Sequence, residues 1–89
     1  MDSNPVTHNE AKGQFEIAVG DKTAFLQYRR TDHNLTLLHT EVPEALQGRG
    51  LGHQLIRAAV DYAHFNQLEI IPVCPFVKKY VEKHPEALK

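Results

Sequence analysis

LTLLHTEVPEALQGRGLGHQLIRAAVDYAHFNQLEIIPVC, residues 35–74, is the stretch whose reading decides the fold. It opens with an extended run from Leu35 to about Val42, turns at Pro43, and enters a glycine loop. Leu51, Leu55, Ala58, Ala59, Tyr62 and Ala63 then recur at helical spacing, opposite Gln54, Arg57, Asp61 and His64. That is the period of an amphipathic helix, and the spacing predicts one over about residues 50–66. Leu68-Glu69-Ile70-Ile71-Pro72-Val73-Cys74 reads as another strand. Pro72 implies an edge or a locally splayed pairing, because it has no N–H to give to a ladder. A helix that joins two strands of one sheet makes them parallel, with a right-handed connection expected. Ligands in such units bind beyond the carboxyl ends of the strands. Both the glycine loop and Cys74 fall there.

Upstream, Gln14-Phe15-Glu16-Ile17-Ala18-Val19 alternates Phe15, Ile17 and Val19 on one face, as a half-buried strand does. Gly20-Asp21-Lys22 is a turn. Thr23 to Arg30 alternates Ala24, Leu26 and Tyr28 against Phe25. With the run from Leu35, these strands form an antiparallel meander. Downstream, Pro75 suits the first turn of a second helix, where its missing N–H is not needed. Phe76, Val77, Tyr80 and Val81 supply that helix with an apolar face until His84-Pro85 stops it. Residues 1–13 read as a flexible lead-in, and 14–89 as a single domain. The fold class is α/β (α+β): a meander, a β-α-β crossover and a C-terminal helix.

The chain has 89 residues and a mass of 10.1 kDa, room for one modest core and a shallow groove. Ten Lys and Arg against eleven Asp and Glu give a formal charge of -1. No broad nucleic-acid surface is expected from that balance. No apolar run approaches the roughly 20 residues that span a bilayer, so no membrane partner is expected either. Met1-Asp2-Ser3-Asn4-Pro5 lacks the features of a secretory signal. The single cysteine, Cys74, precludes an internal disulfide and a multi-cysteine metal site. A cytoplasmic monomer or weak homodimer is the expectation.

Gln47-Gly48-Arg49-Gly50-Leu51-Gly52 lies where a strand turns into a helix. Free N–H groups at a helix start suit a phosphate or pyrophosphate. Glycines let the backbone approach the oxygens closely, and Arg49 can add a charge-assisted contact. The plainer reading is a helix start in a protein-interaction domain. A Walker A loop needs Gly-Lys-Ser/Thr, which is absent, and glycines at 48, 50 and 52 do not match G-x-G-x-x-G.

The loop resembles the Q/R-x-x-G-x-G/A pyrophosphate loop of the GCN5-related N-acetyltransferases (GNAT). His39-Thr40-Glu41-Val42-Pro43-Glu44 and Ile71-Pro72-Val73-Cys74-Pro75-Phe76-Val77 extend the likeness to a small acetyltransferase-like family with a minimal GNAT domain. The resemblance covers roughly Phe15 to Pro85 and implies a minimal GNAT fold. It implies binding of acetyl-CoA or coenzyme A and transfer of an acetyl group to an unidentified amine. The alternative is a non-catalytic coenzyme A-binding module or sensor. By the same resemblance, backbone around Thr40 and Val42 pairs with the pantetheine arm. Amides from Gly48 to Gly52, Leu51 included, hold the pyrophosphate with Gln47, Arg49, His53 and Phe76 around the cofactor. Strands splaying after Val42 would open the slot. The chain lacks the early helices and late strands with which full-length relatives build an acceptor site.

Cys74 has its own physical case, because a thiol at a helix N-cap has a lowered pKa. A thiolate there could attack an acetyl thioester, or the thiol could only line the slot. A plain buried structural cysteine is the third reading. His39 and the carboxylate of Glu41 are candidate bases for an incoming amine. Tyr80 is a candidate acid for the departing thiolate, or a core residue. Lys78 and Lys79 are candidates for the 3′-phosphate, or a solvated pair. His8, His33, His53, His64 and His84 show no metal-ligand spacing.

Overall fold

The computed structural model describes residues 5–88. The start of the chain, whose lack of a secretory signature was read from residues 1–5, lies mostly outside the described residues. Five strands, β1 (Thr7–Asn9), β2 (Gln14–Val19), β3 (Lys22–Arg30), β4 (Asn34–Glu41) and β5 (Glu69–Pro72), form one sheet in the order β1-β2-β3-β4-β5. The first four pair antiparallel, and β5 lies parallel to β4. Helix α1 (Leu51–Phe65) is the crossover between them, and α2 (Pro75–Lys83) follows β5. This is the mixed α+β arrangement that the alternation and the helical spacing predict.

Each element forms on the face its sequence prepares. Phe15 and Ile17 of β2, Ala24 and Leu26 of β3, and Leu35 and Leu37 of β4 point into one core. Leu51, Leu55, Ile56, Ala59 and Ala63 of α1 meet them, and Val77 and Val81 of α2 complete the layer. The opposite face of the sheet stays open, with Ala18, Thr23, Gln27, Arg29 and His39 exposed. Helix α1 ends where Gln67 takes a left-handed φ of 57° and the Leu68 N–H returns to the Ala63 carbonyl at 2.7 Å.

Two features depart from the sequence reading. Thr7–Asn9, inside the supposed lead-in, is a strand paired with Gln14–Glu16. Its reason is His8, which stacks on Phe15 with centroids 4.2 Å apart and hydrogen-bonds the Tyr28 hydroxyl. Secondly, β4 and β5 separate well before Val42. Their last pair is Leu37↔Pro72, after which the Val73 and Cys74 N–H groups both donate to the Leu37 carbonyl, at 3.1 and 3.0 Å. That convergence bends the chain out of β5 and into α2.

Candidate functional site

Beyond Leu37, Leu38 to Glu41 of β4 keep β3 on one side and have no strand partner on the other. A bulge decides which of these side chains reach the site. Leu37 opposes Tyr28 and His39 opposes Gln27, so Leu38 is an extra residue in β4. The extra residue shifts the alternation by one. Thr40, opposite the buried Leu26, therefore faces the helices, while His39 faces the open side of the sheet. There the His39 ring lies 6.0 Å from that of Phe25 and its Nε2 is 3.3 Å from a Glu41 carboxylate oxygen. Both proposed bases thus sit across the sheet from the helix layer.

The splayed end opens into a groove of about 520 Å³, lined by Thr40, Val42, Leu46, Gln47, Gly48, Gly50, Leu51, Gly52, His53 and Phe76. The floor is built by a short 3₁₀ turn over Glu44–Leu46, with Leu46 buried and the Gln47 side-chain amide donating to the Val42 carbonyl at 3.1 Å. Gly48 and Gly50 have φ of 86° and 76°, a left-handed backbone that L side chains rarely adopt. A Cβ on either would meet no protein atom within 4 Å, so the space they face is open.

Gly50 is also the N-cap of α1, with no side chain capping the helix and no acidic residue in its first turn. The first intrahelical bond runs from the Gln54 N–H to the Gly50 carbonyl at 3.1 Å. The preceding amides of the turn, at Leu51, Gly52 and His53, have no partner within the helix. Together with the helix dipole they make a positively polarised terminus, of the kind that suits an anion, at the edge of the groove. The Leu51 side chain is buried in the core, so this residue contributes only backbone. Arg49 is exposed and is not among the residues lining the groove.

Cys74 sits behind Thr40 as N-cap of α2, 5 % exposed, its Sγ 3.6 Å from the Thr40 Oγ1. Burial alone raises a thiol pKa. Here backbone hydrogen bonds at Val77, Phe76 and Thr40, with the side-chain hydrogen bond between the thiol and the Thr40 Oγ1, outweigh it and bring the thiol below its ordinary value. Pro75 makes this possible, since it starts the helix without an N–H of its own and leaves the next two amides turned toward the sulfur.

The structure therefore brings together Thr40, Val42, the glycine loop, His53 and Phe76, with Cys74 hydrogen-bonded to Thr40 just beyond. It leaves His39 out because of the bulge. It leaves Tyr80 out of the groove because the Phe76 and His53 rings, 5.7 Å apart and nearly parallel, intervene. Tyr80 packs edge-on to His53 at 5.5 Å and lines a separate small cavity. Leu46 was missed by the sequence reading; its signal is the one large apolar side chain between Pro43 and the loop. Among the described residues no group of His, Cys, Asp and Glu could hold a metal ion, and no helix is long and apolar enough to cross a membrane.

The splayed parallel strands and the glycine-rich helix start lie within residues 14–89, which match the family model of the GCN5-related N-acetyltransferases. The chain belongs to that family. Protein NATD1 of Xenopus tropicalis is 31% identical over 83 residues, covering 90% of this chain and 76% of its own. Protein NATD1 of Danio rerio is 32% identical with the same coverage. Among solved structures, a GCN5-like protein from Staphylococcus aureus superposes with a TM-score of 0.74 at 30% identity, covering 98% of this chain and 86% of that one.

Proposed function

We propose that the groove binds acetyl-CoA and that the protein transfers the acetyl group to an amine. One observation carries this reading: an uncapped, glycine-flanked helix start opens on the groove at the splayed strand end, and the buried Cys74 thiol lies directly behind it, hydrogen-bonded to the groove-lining Thr40. The amides of Gly48 to His53 hold the pyrophosphate. The unpaired side of β4 around Thr40 and Val42 takes the pantetheine arm as an added strand. The thioester then lies toward Cys74.

In the chemical step the Cys74 thiolate forms a bond to the thioester carbonyl carbon, and the bond from that carbon to the coenzyme sulfur breaks. The coenzyme leaves as a thiolate. A neutral amine next attacks the acetyl-cysteine, restoring the Cys74 thiolate, and its surplus proton passes to the coenzyme thiolate. Mass spectrometry of protein incubated with acetyl-CoA tests this: a labile gain of about 42 Da on Cys74 is expected. The adduct should discharge on addition of an amine and should not form in Cys74→Ala. Turnover by Cys74→Ala at the rate of the unaltered protein would remove the covalent step and leave direct attack by the amine.

A further inference from the structure

Beside the groove lies a cavity of about 170 Å³ lined by His53, Phe76, Lys79, Tyr80, Lys83 and His84. It shares two residues with the groove, His53 and Phe76, whose stacked rings form the wall between them. His53 belongs to the first turn of α1, whose amides form the positively polarised terminus. A group in the cavity is thus one side chain away from a group held by those amides.

The lining chemistry is specific. Lys79 and Lys83 stand at i and i+4 on α2, so they flank one patch. Among the described residues neither takes part in a salt bridge, so their charge is uncompensated. His84 is offset by Glu86, 3.4 Å away. Phe76, 40% exposed, adds a flat apolar face at the mouth. An exposed ring next to two free ammonium groups suits the base and phosphate of one nucleotide.

We infer that this cavity takes the 3′-phosphate of coenzyme A, held by Lys79 and Lys83, so that the protein distinguishes coenzyme A from its 3′-dephosphorylated form. The inference rests on the groove holding the pyrophosphate, as proposed above. Lys83, which the sequence reading left out, joins the site, and Lys78 does not line it.

Isothermal titration with coenzyme A and with dephospho-coenzyme A, at low salt, tests it. The unaltered protein should bind coenzyme A about tenfold more tightly, equivalent to about 1.4 kcal/mol. In Lys79→Ala/Lys83→Ala the two affinities should converge to within about twofold, through weaker binding of coenzyme A alone. Lys78→Ala, on the same helix, should keep the full ratio. Equal affinities in the unaltered protein, or a ratio unchanged in the double variant, would overturn the 3′-phosphate site while leaving the groove assignment standing. Failure of both ligands to bind would overturn the groove assignment and this site together.

Discussion

At the Cys74 sulfur two opposing effects meet. Burial resists ionisation, and the hydrogen bonds at Val77, Thr40 and Phe76 overcome it. A thiol whose pKa is lower folded than unfolded adds stability that is present above its ordinary value of 9.0 and is lost as pH falls through the lowered value. Thr40→Val keeps the shape and removes the hydroxyl. The thiolate titration, followed by ultraviolet absorbance or alkylation rate, should then move up toward the ordinary value; an unchanged midpoint would exclude Thr40 as a donor. The N-cap position of Cys74 was legible in the sequence because Pro75 marks the helix start. The position of His39 was not. One extra backbone residue at Leu38 reverses the side to which His39 points, and alternation of residue types records no such event.

Among the elements, the meander, the crossover and α2 followed from periodicity because each is long enough to repeat its pattern. Strand β1 has only three residues and repeats nothing, so it escaped notice. It is held by side chains: His8 against Phe15 and Tyr62, and against the Tyr28 hydroxyl. Burial, then the neighbouring Tyr62 and Glu10, raise the Tyr28 pKa, against the opposing effect of Arg30. A phenol whose pKa is higher folded than unfolded contributes stability that is complete below its unfolded value of 10.0 and is lost as pH rises through the folded value. Tyr28→Phe should cost about 0.5–1.5 kcal/mol at neutral pH for the lost hydrogen bond. It should also flatten the decline in stability above about pH 10, when urea unfolding is compared across that range. An alkaline decline as steep in the variant would assign it to another group.

For the whole molecule, a small core makes ligand binding a large share of stability. Acetyl-CoA at a hundred times its Kd should add about 2.7 kcal/mol. In a domain of this size each kcal/mol moves the melting temperature by about 4–8 °C, so a rise of about 10–20 °C is expected. Gly50→Val should abolish the rise and lower the starting melting temperature, since valine is strained at a φ of 76°. Nothing in the protein crowds that position; the effect comes from the backbone and from the open space the side chain would enter. A melting curve unmoved by saturating acetyl-CoA would reject the groove as its site.

Throughout the sheet, neighbours in space are neighbours along the chain. Three hairpins close over short loops, and among the described elements only the passage through α1 spans a long one, so most strand pairs join segments that follow one another in the chain. The entropic toll of joining distant segments stays low, which favours rapid folding. Later to emerge than α1 are β5 and the start of α2, which bring the Cys74 sulfur and Phe76 at the groove's wall. A growing chain therefore exposes the uncapped, glycine-flanked start of α1 well before Cys74 can reach it, and the groove is walled only once α2 has docked.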